Sequence, residues 1–435
     1  MIAAALLAAT ALAAGPVPLL DAPGAQDVAV VGNEVVVARP GPHGHALVDA
    51  LPVAGGPARR LLDAHVPGRG WSTVTFMSAS PQRVAALTWY SRGHGHLPAL
   101  SMRMRLYTGP ITGPLRRVPV QRRWVPVDLV ADGDRVLLLE ERDGLILRSR
   151  LRVLLPDGSS RVVPVKGVRA YLPIALAGDR VAFFDASHRR VVVADVATGA
   201  HTASIPDLGA PMLDLAPDGR VVFSGGGRGV FTAPPRRPVP GSRSLFGPQL
   251  AGSAVVGLER VNDEDDRRLA VLDPGAAAPR PLSLPSAGLQ VFDADAQGVA
   301  WIANGCVLYA PVGATAPAEP PAGPCPRAEA LISRWPAALR GRTLRFEVRC
   351  VAAPASGCSG ETTLRLRHRG FAGRGAFHLG PGTEHAFTVR LTHRAARFVR
   401  RRVRAGHDVT LPMRTAIVGG RSARDIPVVV VRVRR

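Results

Sequence analysis

Residues Leu215-Ala-Pro-Asp-Gly-Arg-Val-Val-Phe223 contain the pattern from which the fold can be predicted. A short apolar lead-in reaches a Pro-Asp-Gly turn, and an apolar run rich in Val and Phe follows it. Asp and Gly favour tight turns, whereas Val and Phe favour strands, so the stretch predicts a β-hairpin. The pattern, with turns such as Gly-Asp-Arg, recurs around seven valines: Val35, Val84, Val136, Val181, Val221, Val255 and Val299.

The spacing of these valines predicts the size of the repeating unit. Successive intervals are 49, 52, 45, 40, 34 and 44 residues, close to the roughly 40–50 residues of one four-stranded propeller blade. A second hairpin follows the first, as in residues 190–195 and 201–205 around a Thr-Gly turn. We therefore predict an all-β protein with a β-propeller of about seven blades over residues 27–325. An array of tandem sandwiches is the alternative.

Two of the repeats resemble a known family. Residues 215–223 resemble the S-P-D-G-[KR]-x-[IV]-x-F signature of TolB-type, WD40-like propeller repeats, and Ser80-Pro-Gln-Arg-Val84 resembles a shortened copy. By repeat spacing the resemblance covers residues 27–325. It implies a secreted or periplasmic scaffold whose propeller contacts a protein, a peptide or a glycan.

Composition and charge divide the chain unevenly. The 46 Gly and 40 Pro among 435 residues fit many short strands and turns, because both residues interrupt helices. The formal net charge is +22. Residues 328–435 hold 22 arginines and six acidic residues, a net of +16, against +6 for the remainder. The excess positive charge therefore belongs mainly to the C-terminal quarter, where part of it reflects a general bias towards arginine.

The N-terminus predicts export from the cytoplasm. An apolar run ends in Ala11-Leu12-Ala13, which resembles a signal-peptidase site. At about 13 residues the run is shorter than the ~20 that cross a bilayer. We predict a cleaved signal peptide over residues 1–14 and a secreted or envelope-associated protein; a retained anchor and an ordinary strand are the alternatives. No later stretch resembles a transmembrane helix.

Four cysteines fall in two close pairs, Cys306 with Cys325 and Cys350 with Cys358. Four cysteines permit three connectivities, and the local pairing is the simplest of them. An exported protein would allow disulfides to form. We predict two local disulfides, with metal binding as the competing interpretation, although no C-x-x-C spacing supports it.

The residue pattern changes over residues 328–435 and predicts a second domain. Apolar and polar residues alternate over residues 343–350 and 361–368, and further short strands follow. Several strands of period two in so short a segment predict a small, basic β-sandwich of immunoglobulin-like size. The segment from Cys350 through Cys358 resembles the small immunoglobulin-like domains of exported actinobacterial proteins.

The basic stretch from His393 to residue 404 is the strongest functional hint. Its apolar residues could share one helical face with arginines opposite, or it could be a turn and strand whose arginines are merely solvated. If it is functional, the partner is an anionic cell-wall polymer or lipid headgroups. A nucleic-acid partner is disfavoured, because aromatic residues are 5% of the chain and no known motif is present. The candidate polyanion-binding residues are Arg397, Arg400, Arg401, Arg402 and Arg404.

Catalytic motifs are absent from the sequence. It contains no G-x-S-x-G, H-E-x-x-H or Walker-type Gly-Lys-Ser/Thr, so we assign no catalytic, cofactor or metal residue. His43-Gly-His45 and His94-Gly-His96 lie in Gly-rich segments and are interpreted as turns. The expected function is a non-catalytic extracytoplasmic binding or scaffold protein. The alternative is a hydrolase or lyase with its site on the central face, which clustered His, Asp and Arg around the axis would favour.

Overall fold

The computed structural model describes most of the chain, and divides it into two compact units, Met1–Pro321 and Ala322–Arg435. The predicted signal peptide, residues 1–14, lies outside the described residues and stays a prediction. The described residues are 16–434 except 23–24, 42–44, 66–70, 92–101, 122, 143–147, 170–171, 207–211, 225–228, 262–266, 286–288, 304, 317–328, 333–336, 353–357, 367–369, 381–382, 408 and 418–422.

Over its described residues, the first unit contains 28 strands. They are, in chain order, β1 (Val17–Asp21), β2 (Asp27–Val31), β3 (Glu34–Pro40), β4 (Ala46–Pro52), β5 (Arg59–Ala64), β6 (Trp71–Ala79), β7 (Val84–Ser91), β8 (Met102–Gly109), β9 (Arg116–Val118), β10 (Trp124–Asp132), β11 (Arg135–Arg142), β12 (Ser149–Leu154), β13 (Ser160–Val162) and β14 (Ile174–Ala177). The others are β15 (Arg180–Asp185), β16 (Arg190–Asp195), β17 (His201–Pro206), β18 (Met212–Leu215), β19 (Val221–Ser224), β20 (Val230–Ala233), β21 (Arg237–Pro238), β22 (Leu245–Ala251), β23 (Ala254–Arg260), β24 (Arg267–Leu272), β25 (Arg280–Pro281), β26 (Leu289–Ala294), β27 (Gly298–Ala303) and β28 (Cys306–Pro311).

These strands form seven four-stranded antiparallel sheets, each a propeller blade. Blades 1 to 6 are consecutive quartets that begin at β2, β6, β10, β14, β18 and β22, and blade 7 contains β26, β27, β28 and β1. The seven valines that define the sequence repeat all lie at the start of the second strand of a blade, and all are buried. The prediction of an all-β chain with a seven-bladed propeller is confirmed.

The ring closes through the N-terminal strand. β1 pairs antiparallel with β28, so that Val17 lies opposite Tyr309 and Asp21 opposite Cys306. The first strand of the chain is thus the outer strand of the last blade. The predicted range of residues 27–325 does not include β1, because β1 has no turn motif of its own and pairs with a strand almost 300 residues later.

The core lies mainly between neighbouring blades. Leu61 of blade 1 and Val84 of blade 2 share one apolar cluster, and Val153 of blade 3 shares another with Phe183 of blade 4. Both faces of a blade are therefore covered. This explains why the second strands are nearly continuous apolar runs rather than alternating ones.

The described part of the second unit contains eight strands and one helix. They are β29 (Glu329–Ile332), β30 (Ala337–Arg340), β31 (Thr343–Ala352), β32 (Cys358–Leu366), β33 (Gly370–Leu379), β34 (Glu384–Leu391), α1 (His393–Arg404), β35 (Val409–Ile417) and β36 (Ala423–Arg434).

All eight strands belong to one sheet rather than to the two sheets of a sandwich. Neighbouring strands follow the order β31, β30, β36, β35, β32, β33, β34, and β34 pairs again with β31, so the sheet closes on itself; β29 pairs with β31 as well. Leu344, Phe346 and Val348 point into its core, whereas Arg345 and Glu347 are exposed. The alternation that predicted strands is confirmed, but it cannot distinguish two facing sheets from one closed sheet, since both bury every second residue.

The basic stretch is a helix, as one of the two sequence interpretations proposed. Thr392 caps its start, its Oγ1 accepting the N–H of Ala395 at 3.2 Å. Gly406, with φ of +79°, follows the last turn in the left-handed conformation that glycine tolerates. Ala395, Ala396 and Val399 are buried in the core of the closed sheet. The alternative of a turn and strand was wrong.

Candidate functional site

The first strands of the seven blades surround a central channel of about 430 Å³. Its lining includes five aspartates, Asp27, Asp132, Asp214, Asp293 and Asp295, together with two serines and Gln249. None of the described lining residues is His, Lys or Arg. The sequence did not single out these aspartates, although an Asp inside a short apolar run, as in Met-Leu-Asp-Leu at 212–215, is a signal that could have done so.

The innermost strand of each blade has one edge without a partner strand, and the channel side chains satisfy part of it. The carboxylate of Asp293 accepts the N–H of Val30 in blade 1 at 2.8 Å. Asp214 accepts the N–H of Leu250 in the next blade at 2.8 Å. Unpaired buried N–H groups are costly, so these contacts stabilise the junctions between blades.

Other aspartates, near the turn between the first and second strands, also accept backbone N–H groups of the next blade. Asp132 accepts the N–H of Gly178 at 2.6 Å, and Asp295 accepts the N–H of Gly32 at 2.8 Å. In each pair the acceptor belongs to one blade and the donor to the following blade. The aspartates thus connect successive blades in one direction around the ring, and Asp293 and Asp295 connect the last blade to the first.

The channel carboxylates have unusual acidities. Burial raises the pKa of Asp27 to about 7 and that of Asp293 to about 7; the charge of Asp128 adds to the shift of Asp27, and the charges of Asp214, Asp27 and Asp295 add to that of Asp293. Burial likewise raises the pKa of Asp214, and it raises that of Asp128, which lies on β10 and is not a lining residue, to about 6. Backbone N–H donors oppose the shift, and for Asp27 they are Met77 and Val28. At neutral pH the channel therefore holds less negative charge than its aspartates would carry in water.

The Gly-Asp-Arg turns that revealed the repeat have a structural role. The guanidinium of Arg135 in blade 3 donates to Asp179 at 2.5 Å and to the carbonyl of Gly178 at 3.1 Å, both in the equivalent turn of blade 4. Arg180 in that turn donates to the carbonyl of Asp218 in blade 5 at 2.7 Å. The repeated arginine therefore links each of these turns to the next one.

A buried ion pair lies within blade 3. Glu140 is fully buried and accepts hydrogen bonds from Arg150 at 2.8 Å and from Arg152 at 2.5 Å. Asp185, at the same strand position of blade 4, pairs with Arg190. Glu140 and Asp185 each lie four residues after the aligned valine of their blade, where the strand leaves the apolar core.

The candidate polyanion-binding arginines lie on α1. Arg397, Arg401, Arg402 and Arg404 are exposed. Arg400 differs from them: it is half-buried, and its Nε is buried without a hydrogen-bond partner among the described atoms. Arg394, which the sequence interpretation left out, is exposed as well, and none of the four exposed candidates or Arg394 has an ion-pair partner in the part of the chain that the structure describes.

Two of the four cysteines have described side chains, and both are disulfide-bonded. Cys306 and Cys358 each form a disulfide. The side chains of Cys325 and Cys350 lie outside the described residues, so the pairings of Cys306 with Cys325 and of Cys350 with Cys358 stay predictions. Both described cysteines are buried.

Two histidines of the described residues, His378 and His45, contact polar side chains. Ser359 and His378 lie opposite each other on β32 and β33, with Oγ and Nδ1 2.5 Å apart, but both face outwards, and no described carboxylate orients the imidazole. His45 contacts Asp63 at 2.6 Å. His43 and the 94–96 pair lie outside the described residues. No group of three His, Cys, Asp or Glu residues suited to a metal occurs among the described residues.

No protein-family model matches the chain, and no curated protein matches its sequence. AztD from Citrobacter koseri, in its apo structure, has a TM-score of 0.38 at 14% identity over 80% of this chain and 96% of its own. The WD40 domain of SCAP from fission yeast has a TM-score of 0.34 at 11% identity, over 67% and 85%.

A third similar structure, a nidogen/laminin complex, has a TM-score of 0.35 at 14% identity, over 54% of this chain and 91% of its own. Because these TM-scores and sequence identities are low, the assignment of a seven-bladed β-propeller rests on the strand pairings described above. The TolB-type subfamily stays a prediction. Over the described residues, no helix is long and apolar enough to cross a membrane.

Proposed function

We propose that this chain is a non-catalytic binding scaffold that works outside the cytoplasm. Its propeller contacts a protein, a peptide or a glycan, and its basic second unit contacts an anionic polymer of the cell envelope. The observation that carries the proposal is the set of exposed arginines on α1, which have no acidic partner among the described residues. Such a surface attracts polyanions over about a Debye length, and salt weakens the attraction.

The propeller supports a binding role through its channel. The lining offers carboxylates, hydroxyls and an amide, and no cationic side chain among its described residues. A positively charged or hydrogen-bond-donating group of a partner is therefore the chemistry that this channel favours. Most of the lining aspartates already accept backbone N–H groups, which accounts for their presence without a catalytic role.

The alternative, a hydrolase or lyase with its site on the central face, would use Asp27 and Asp293. A pKa of about 7 suits a general acid or base at neutral pH. However, aspartate is the only one of the three expected residue types in the described lining, since His and Arg do not occur there. The binding scaffold is therefore the function that the geometry supports better.

Retention of the full chain on isolated anionic envelope polymer, across a salt series, tests the polyanion contact. A neutral polysaccharide from the same envelope is the control. We expect retention on the anionic polymer at low salt, release as salt rises, and no retention on the neutral one. Equal retention on both, or retention that salt does not change, would contradict the proposal. Substrate turnover that Asp293→Asn abolishes would favour the enzyme instead.

A further inference from the structure

Four arginines form a single row along α1. Arg394, Arg397, Arg401 and Arg404 are all exposed and are separated by three, four and three residues. At 100° per residue this spacing places them within an arc of roughly 80°, and at 1.5 Å per residue the row is about 15 Å long. Neighbouring charges along the row are therefore about 5 Å apart. Arg402 is also exposed but lies on a different side of the helix.

The face opposite this row is not available to a membrane. Ala395, Ala396 and Val399 are fully buried in the core of the closed sheet, and Phe398 and Val403 pack against it. A helix that lies in a bilayer interface must insert its apolar face among the lipids. This helix could do so only by leaving its own core, so the row meets its partner as a rigid outer surface.

The arginines of the row repel one another, because like charges three or four residues apart on a helix are unfavourable. The helix dipole disfavours Arg394 in the first turn and favours Arg401 and Arg404 in the last turn. The first turn contains no acidic residue. No described residue forms an ion pair with any of the four arginines. A bound polyanion would relieve this repulsion.

We propose that the arginine row binds a linear phosphate polymer that lies along the axis of α1. This inference rests on the proposed function, which assigns a polyanion to the second unit, and it names the class of polymer and its place. Guanidinium groups match phosphate oxygens in a two-pronged geometry, and a chain with one phosphate per repeat supplies anions at regular intervals. The helix exposes no aromatic side chain, since Phe398 is packed against the core, so nucleobases find no stacking platform.

Binding of the full chain to long-chain polyphosphate, measured across salt concentrations, tests the inference. If four phosphate contacts form on a flexible strand, the logarithm of affinity falls with that of salt at a slope of about −2.8, a loss of about fifty-fold between about 50 and 200 mM salt. Arg397→Gln and Arg401→Gln should each reduce the slope to about −2.1. Arg345→Gln removes the same charge from an exposed position of the second unit outside α1, and should leave the slope unchanged.

Several outcomes would overturn the inference. If Arg345→Gln weakens binding as much as Arg397→Gln does, the contact is diffuse, and the polyanion function stands without the row. If the unaltered chain binds neither polyphosphate nor envelope polymer, the proposed function fails as well. Tighter binding to phosphatidylglycerol vesicles at equal phosphate, or to oligothymidylate of equal charge, would assign the row to a membrane or to a nucleic acid. Thermal melts of all variants should coincide, since the substituted side chains are exposed.

Discussion

Asp293 accepts the backbone N–H of Val30 at 2.8 Å, although 263 residues separate the two in the chain. The contact joins the innermost strand of blade 7 to that of blade 1, on the channel side of the same junction that β1 closes at the outer edge. The carboxylate provides a hydrogen-bond acceptor for a backbone N–H on the strand edge. When it is ionised, it also places a negative charge close to other aspartates. The first effect stabilises the ring, and the second one opposes it.

Two substitutions at residue 293 separate these effects. Asp293→Asn keeps an oxygen that can accept the N–H of Val30 and removes the charge, so we expect the free energy of unfolding at pH 8 to stay equal or to increase. Asp293→Ala leaves the N–H of Val30 without its acceptor and should lower the free energy of unfolding by about 1–3 kcal/mol. Chemical denaturation measures both. Asp134→Asn, at an exposed turn, is the control for the loss of one charge. Equal destabilisation by Asn and Ala would show that the contact contributes little.

The stability of the propeller should increase as pH falls from about 8 to 5. Because the folded pKa of Asp27 and of Asp293 is raised above the ordinary value of 3.8 to about 7, the folded state binds protons more tightly than the unfolded chain in that range. The stabilisation by protonation is fully present below pH 4 and is lost as pH rises through about 7.

Calorimetric melting temperatures across this range test the pH dependence. The double variant Asp27→Asn with Asp293→Asn should have a flatter profile than the unaltered chain. Below pH 4 the opposite trend begins: burial raises the pKa of Asp185, but hydrogen bonds from His188 and Arg190 and the charge of His188 outweigh it and leave that pKa below its ordinary value. A melting temperature that rises steadily from pH 5 to 8 would contradict the role assigned to the channel aspartates.

Two acidic residues with arginine partners should differ greatly in importance. Glu140 is fully buried, and Glu140→Ala would leave the nearly buried guanidinium of Arg152 without its anion, a loss of about 3–5 kcal/mol. Asp179 is 76% exposed beside Arg135, and Asp179→Ala should cost less than about 1 kcal/mol. Denaturant midpoints measure the difference. Similar losses would mean that burial does not govern these pairs.

The strand β1 should be needed for a stable ring. A chain that begins at Asp27 lacks β1 and leaves the edge of β28 without its partner, which invites pairing with other molecules. We expect a lower melting temperature and concentration-dependent aggregation, measured by light scattering, relative to a chain that begins at Pro16. Identical behaviour of the two would show that the blade is stable with three strands.

Some of the site could have been inferred from the sequence. Asp214 and Asp293 interrupt apolar runs that the repeat pattern assigns to first strands, and a charged residue in such a strand calls for an explanation. Their partners could not be inferred, because Leu250 and Val30 donate through the backbone, which leaves no mark in the sequence. The raised pKa of Asp293 comes first from its burial and then from the nearby aspartates, and the sequence specifies neither the burial nor the distances.

By itself, the sequence determined the local structure and its repetition. Turn residues followed by Val-rich runs fix hairpins within about ten residues, and the period of the aligned valines fixes seven blades. The tertiary structure alone decided which distant strand completes blade 7, whether the second unit closes as one sheet, and which of two conformations residues 393–404 adopt. The physical reason is that a hairpin is specified by neighbours in the chain, whereas closure and helix docking depend on the burial of surfaces that only the folded chain brings together.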